Sequence, residues 1–365
     1  MLAGVAALAG VAWLPPKSTR LLGPLFGGLV AFGLGRASGG VGVGIACGVG
    51  ALGLLFRFAP GTVLRRVTFL VPSLLLLLFV TTLLMYHAPG SPFAGEKVAS
   101  PQVEAALRAH FGVPKSAVEF FGIYLTRLLV EGSLGPSVKV QGRTVEALLA
   151  PALPVSIALG LLALVLASAF GLALGIRAGL KPNSFADYAS IGLSSIGLAL
   201  PSFVIGAILI VLFSLKLGWL PVAGWGSLRQ IVLPAVTLAL PHSAYIARLA
   251  RGGTIEVMSQ DFIRTARAKG LSESAVVLRH ALKGAILPVV SYLGPAAAGI
   301  LTGSFVVETL FGIPGMGQWF VRGAINRDYS VVLGTSLVYA SLVTAFNLAV
   351  DLAYAWLDPR VRSGS

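Results

Sequence analysis

Apolar residues fill most of this chain in long runs, broken at intervals by short clusters of charge. Six runs in the later part reach the ~20 residues that a helix needs to cross a bilayer. They are residues 67–87, 153–176, 189–215, 231–250, 285–310 and 331–356. The runs are near-continuously apolar rather than alternating, so they predict helices and not barrel strands. Three pieces precede them, at 1–14, 21–35 and 37–56, and only the last is long enough to span. The first lacks a basic n-region and makes a poor signal peptide. Gly40, Gly44 and Gly48 recur every four residues, a face that lets another helix come close. Residues 1–60 are therefore expected to form a Gly-rich accessory segment of one or two hydrophobic helices, or else to be an extension created by a misassigned start codon.

One polar region interrupts the pattern. Residues 88–148 carry Pro92, Pro101 and Pro114 and the glutamates Glu96, Glu104, Glu119, Glu131 and Glu146. Within it, 102–111 and 117–129 show apolar residues at helical spacing. The expectation is a small extracytoplasmic helical cap on a core that runs from 61 to 365. The core then comprises the cap, a transmembrane part at 149–357 and a cytoplasmic loop at 251–284. The fold class that follows is an all-α polytopic membrane protein with six core transmembrane helices.

Composition agrees and excludes the main rival. A chain of 365 residues has the length for two soluble domains. It is 56% hydrophobic and only 11% charged, with mean hydropathy +0.90, which marks a membrane protein. The net charge of +14 does not point to nucleic acid. Arg57, Arg65, Arg66, Arg177, Lys181, Arg248, Arg251, Arg360 and Arg362 flank alternate ends of the runs. The short loops at the opposite ends hold only Lys216, Arg229, Arg322 and Arg327. The excess of basic residues places the first group in the cytoplasm, together with both ends of the core. The single cysteine, Cys47, excludes an intrachain disulfide and reads as a packed residue.

The densest basic cluster lies between the fourth and fifth core runs, DFIRTARAKGLSESAVVLRHALKGAILP at 261–288, with Arg264, Arg267, Lys269, Arg279 and Lys283. Ser259 or Asp261 is suited to cap a short helix ending near Lys269. Thr265, Ala266 and Ala268 keep part of its surface small. Gly270 is suited to the left-handed turn after it. Ser272 then caps a second helix with Val276, Val277 and Ala281 on an apolar stripe. Two readings of this loop stand from the residues alone: an ordinary basic inside loop, or a docking element for another protein.

No catalytic constellation is present. His87, His110, His242 and His280 are scattered, without an HExxH or Cys/His cluster. No lysine follows a glycine, so the GxxxxGK phosphate loop is absent, as is GxSxG. The spans are nearly free of ionisable residues; Glu308 and Asp351 stand near span ends. A proton-coupled carrier would carry more. These absences favour transport driven by a separate protein.

RTARAKG followed by RHAL and LP resembles the EAA-type loop of ABC-transporter permeases, with Gly270 at the seventh place. Arg264 stands where the general pattern has glutamate, and Lys283 where it has proline; Pro288 is the nearest proline. More narrowly the chain resembles the first permease subunit of dipeptide, oligopeptide and nickel importers, over about residues 62–362. LRRVTFLVPSLLLLLF followed by HAPGSP is similar to the first span and corner of that branch. Glu308, Phe311, Pro314, Gly315 and Gly317 match its ExxFxxPGxG pattern, Asn326, Arg327, Asp328 and Tyr329 its NRDY segment, and Asp358, Pro359 and Arg360 its DPR ending.

The resemblance implies a type I ABC importer fold in the cytoplasmic (inner) membrane of a bacterium or archaeon, in contact with membrane lipid. It implies a homologous second permease subunit, two cytoplasmic ATPase subunits and an extracytoplasmic substrate-binding protein as partners. ATP and Mg would sit on the ATPases, with no cofactor, metal or catalytic residue in this chain. Ile263, Arg264, Thr265, Ala266, Arg267, Ala268, Lys269, Gly270 and Leu271 would form the helix that couples to an ATPase. Glu308, Phe311, Pro314, Gly315, Gly317, Arg327 and Asp328 would lie at the outer mouth, as a gate or as a shaped loop. The expected cargo is di- or oligopeptides, with nickel chelates or oligosaccharides as alternatives. A self-contained carrier or a membrane enzyme is the rival class.

Overall fold

The computed structural model describes residues 61–88 and 116–357. The expectations for residues 1–60 with Cys47, for the corner after His87, for the helix at 102–111 and for the 358–360 segment lie outside the described residues. Every regular element among the described residues is helical: α1 Gly61–His87, α2 Ala117–Thr126, α3 Val145–Leu180, α4 Phe185–Ala199, α5 Ser202–Leu209, α6 Leu228–Met258, α7 Asp261–Ala268, α8 Glu273–Leu310, α9 Met316–Asn326 and α10 Tyr329–Leu357. Among these, α1, α3, α6, α8 and α10 are long and apolar enough to cross a membrane.

The sixth crossing expected at 189–215 is split. Its helix breaks between α4 and α5 at Pro201, which has an extended ψ of 144°. Proline lacks an N–H and pushes the residue before it out of the helical region. A π-helical stretch, Ile210–Lys216, continues α5. The loop's second helix and the fifth run, expected as separate, are instead one helix. α8 runs from Glu273 to Leu310 and takes up a π-helical stretch at Val276–Ala281. Pro288 and Pro295 lie inside it without ending it.

The chain divides into two compact units. The first takes in residues up to 148 and 322–341. Here Leu78 of α1, Tyr124 of α2 and Leu333 of α10 form a small core with Phe120, Phe121, Leu128 and Leu337 around it. Phe79 meets Phe121 edge to face at 5.3 Å. Ser116 caps α2 by accepting from the Glu119 N–H at 3.1 Å. The return to α3 is a short antiparallel turn, with Pro136 bridged to Thr144 and the Val145 N–H donating to the Gly135 carbonyl at 2.9 Å.

The second unit takes in 149–321 and 342–359. α6 is its centre: half of its most apolar window is buried, against 11% for α1. It packs on α4, α5 and α8. Leu159 and Ala163 of α3, Leu238 and Ile246 of α6, and Ile300 and Val307 of α8 belong to one core. α3 lies against α6 along Gly171, Gly175 and Gly179. A Cβ at Gly171 would stand 2.6 Å from Ile246 Cγ2, and one at Gly179 2.6 Å from Thr254 Cβ. This glycine ridge lets the two backbones approach as small-xxx-small pairs do in membranes.

Candidate functional site

The basic loop folds as a short helix resting on its own small core. Ile263 and Ala266 of α7 pack with Val276 and Ala281 of α8, and with Val257, Met258 and Leu271 at the margin. Arg264, Thr265, Arg267, Ala268, Lys269 and Gly270 are exposed. Ala266 therefore faces inward, and only Thr265 and Ala268 offer the small outward surface expected of all three. The start differs from expectation too. The cap position is Gln260, with no side-chain bond, while the Ser259 hydroxyl donates back to the Glu256 carbonyl at 2.6 Å. Ser272 does cap the next helix, accepting from the Ala275 N–H.

The end of α7 is a full Schellman turn. The Gly270 N–H donates to the Arg267 carbonyl at 2.9 Å and the Leu271 N–H to the Ala266 carbonyl at 3.4 Å. Gly270 has φ +78°, which suits glycine and strains other residues. Outside the turn, the Arg267 guanidinium holds Glu273 through both carboxylate oxygens, at 2.8 and 3.2 Å. That bond to Glu273 raises the Arg267 pKa further. Two large apolar side chains remain exposed on this otherwise polar loop, Phe262 at 50% and Leu278 at 66%. The sequence reading passed over both. The available signal was their isolation among charged neighbours.

The residues expected at the outer mouth fall into two arrangements. The first closes α8 onto α9. Here α8 ends in a second Schellman turn: the Ile313 N–H donates to the Glu308 carbonyl at 2.8 Å and the Gly312 N–H to the Thr309 carbonyl at 3.3 Å. Phe311 and Ile313 are buried in the unit's core. Past Pro314 the chain turns back, and α9 starts against the side chain of Glu308. The Gly317 N–H donates to Glu308 Oε2 at 2.7 Å, and the Met316 N–H to the Ser156 hydroxyl of α3 at 2.9 Å. A carboxylate there satisfies free N–H groups at the positive end of a helix. Glu308 is fully buried, and its Oε1 has no hydrogen-bond partner. Both glycines of the motif are explained by close approach. A Cβ at Gly315 would run into the Glu308 carboxyl and the Ser156 hydroxyl, and one at Gly317 would stand 2.6 Å from Phe305 Cα.

The second arrangement belongs to the other unit. α9 also ends in a Schellman turn, with the Arg327 N–H donating to the Ala324 carbonyl and the Asp328 N–H to the Gly323 carbonyl. Arg327 holds the left-handed position at φ +58°, where glycine is usual. Asp328 is buried and caps α10 through the Val331 N–H at 3.4 Å. It also accepts from the Ser137 hydroxyl and from the Lys139 N–H at 3.2 Å. Asp328 thus fastens the 136–144 turn, a partner that no local sequence pattern announces.

A further ionic contact was not anticipated. Asp187, buried at the start of α4, takes a bidentate grip from Arg251 of α6, with Nη2 to Oδ2 at 2.8 Å. The same carboxylate accepts from the Asn183 N–H at 2.9 Å. Arg251 stands a few residues before α7, so this pair fixes the base from which the loop springs.

Residues 171–363 match the family described as binding-protein-dependent transport system inner membrane component. The chain is 45% identical over 302 residues to the oligopeptide transport system permease protein OppB of Escherichia coli K12, covering 82% of this chain and 98% of that protein. It is 43% identical to OppB of Haemophilus influenzae with the same coverage. The dipeptide transport system permease protein DppB of Bacillus subtilis is 40% identical over 299 residues, 82% of this chain and 97% of that protein. Among solved structures, the MetNI methionine ABC transporter in an inward-facing form aligns with TM-score 0.49 at 18% identity, over 58% of this chain and 96% of that one. An amino acid ABC transporter with histidines aligns with TM-score 0.46 at 17% identity, over 57% and 92%. The identity to full-length relatives, the family match and the spanning helices meet in one conclusion: the chain belongs to the binding-protein-dependent transport system inner membrane component family, the permease subunits of ABC importers.

Proposed function

We propose that this chain is one of two permease subunits of an importer of di- or oligopeptides. The observation that carries the cargo is the identity of 40–45% to permeases named for oligopeptide and dipeptide transport, across nearly their whole length. Nickel chelates and oligosaccharides are the other cargoes to test. The chain has no ATP site of its own. ATP and Mg are bound by two cytoplasmic ATPase subunits, and an extracytoplasmic protein delivers the cargo. The chain lies in the cytoplasmic membrane with both core ends inside, as the distribution of Arg and Lys favours.

Residues 263–271 form the element that docks on an ATPase. Supporting this is a short helix held from beneath by Ile263 and Ala266, with Phe262, Arg264, Arg267 and Lys269 turned outward. ATP-driven closure of the ATPases then moves α7, and α8 follows because Val276 and Ala281 share its core. The 308–317 turn acts as a rigid corner rather than a moving gate, since its side chains are spent on internal packing. Arg327 and Asp328 brace the 136–144 turn in the same sense.

Co-purification tests the docking. The wild-type chain should bring down its ATPases, and Phe262→Asp should lose them while keeping the second permease. Equal recovery of ATPase with Phe262→Asp would count against docking at α7. Uptake of labelled peptides, with a nickel chelate and an oligosaccharide in parallel, tests the cargo.

A further inference from the structure

The exposed sides of the spanning helices are of two kinds. On α3 the exposed positions are Leu161, Leu162, Val165, Phe170 and Leu174, large apolar groups suited to acyl chains. On α8 they are Pro288, Ser291, Pro295 and Thr302. The hydroxyls of Ser291 and Thr302 bond carbonyls of their own helix. Such a surface offers lipid little.

Beside it stands a cluster of polar aromatics. His242 and Tyr245 sit near the middle of α6, and Tyr292 near the middle of α8. His242 Nδ1 lies 3.0 Å from the Tyr292 hydroxyl. The Tyr245 and Tyr292 rings are 4.3 Å apart at 37°. The His242 ring is seated on Gly299, where a Cβ would come within 2.7 Å of its Cε1. Tyr245 is 36% exposed, and His242 and Tyr292 are half-buried. Tyrosines that face lipid belong at the membrane interfaces, and polar groups at mid-depth face a cavity or a pathway by default.

We infer that His242, Tyr245 and Tyr292 form a contact station for the transported peptide inside the translocation path. The inference rests on the peptide-importer reading and adds where the cargo touches this chain. The two tyrosine rings present an apolar, polarisable face to a cargo side chain, best an aromatic one. The Tyr292 hydroxyl binds the peptide backbone. If His242 accepts its proton, the oxygen accepts from a peptide N–H; if His242 donates, the hydroxyl donates to a peptide carbonyl. Either way a backbone amide is served regardless of sequence, as a peptide carrier needs. His242 acts as a positioning residue: wedged on Gly299, it fixes the hydroxyl's direction.

The test uses the whole transporter, co-expressed with its second permease, ATPases and binding protein and reconstituted in liposomes. Tyr245→p-benzoylphenylalanine is illuminated during ATP-driven uptake of a labelled phenylalanine-bearing peptide, with Leu162→p-benzoylphenylalanine as the lipid-facing control. A peptide adduct at 245 and not at 162 is expected. Adducts at 245 only with lipid, or only with the second permease, overturn the inference. In a second measurement, Tyr245→Ala should lower the uptake ratio of that peptide to trialanine by about 5–10-fold, the scale of one lost aromatic contact. An unchanged ratio overturns it as well. Wild-type transporter that takes up neither peptide defeats the peptide-importer reading itself, a result distinct from wild-type uptake with an unaltered ratio.

Discussion

The ends of α7 and α8 reverse the chain with the same pair of backbone bonds and with glycine in the left-handed region, at φ +78° for Gly270 and +61° for Gly312. Their surroundings are opposite. A Cβ at Gly270 would meet nothing within 4 Å, and the residues before it are exposed. Past Gly312, Ile313, Gly315, Met316 and Gly317 are all buried, and Glu308 reaches back to hold the next helix. One turn leaves its side chains free for another molecule; the other consumes them. A glycine-bearing motif in a permease sequence therefore does not by itself say which kind of turn it marks. What separates them is whether a side chain added there would find space.

The comparison breaks most visibly at Gly317. Gly317→Ala sets a methyl 2.6 Å from Phe305 Cα and 2.8 Å from Glu308 Oε2. Backbone and a buried carboxylate cannot both yield, so the cost should reach about 3 kcal/mol or more. A collapse in detergent-solubilised yield, or a large drop in thermal midpoint, is the expected readout. A variant with wild-type melting would show that the α8–α9 corner is looser than its distances imply.

Next in size is Glu308. Glu308→Ala strips the acceptor from the buried Gly317 N–H and should cost roughly 2–3 kcal/mol. Glu308→Gln keeps an acceptor oxygen of the same reach and should retain most of the stability. Thermal melts of both, side by side, sharpen the comparison. Equal losses would mean that the negative charge at the start of α9 matters more than the hydrogen bond.

Much of this was legible in the sequence. Runs of apolar residues located the spans, because a membrane demands length and continuity that few other folds do. Gly270 as a helix stop and Ser272 as a cap were readable because both act within a few residues. What escaped was contact across the chain. Asp187 lies 64 residues from Arg251, and Ser137 lies 191 from Asp328, so no local pattern pairs them. Pro201 was visible, yet the run around it was taken as one span, since hydropathy averages over a break. The Gly171, Gly175 and Gly179 ridge was present in the letters. The same spacing was noticed at Gly40–Gly48, so the omission was one of attention rather than of signal.

Gly270 should respond far less than Gly317. Gly270→Ala has open space and meets only the strain of φ +78°, about 1 kcal/mol. Gly270→Asn should cost less still, because asparagine tolerates the left-handed region. A graded series in thermal midpoint, with Asn above Ala, is expected. If Ala and a bulky residue such as Trp differ strongly in melting without partners present, the turn is crowded after all and the contrast with the α8 corner fails.

The smallest effect belongs to Arg267 and Glu273. Their bidentate pair spans the α7 turn, and both side chains are largely in water, at 43% and 65% exposure. Exposed pairs contribute little, since water and salt screen them and long side chains lose freedom when held. The turn itself is closed by the Gly270 and Leu271 N–H bonds and by the Ile263–Ala266 core beneath. Arg267→Ala and Glu273→Ala should therefore leave the melting curve of the isolated chain unchanged at ordinary ionic strength. The same two variants, measured for recovery of the ATPase subunits, separate a fastening role from a recognition role. Lost ATPase at unchanged melting places the pair on the docking surface. Lowered melting at every salt concentration would instead make the ionic clasp, and not the glycine turn, what shapes α7, and the likeness between the two helix ends would then be confined to their backbone geometry.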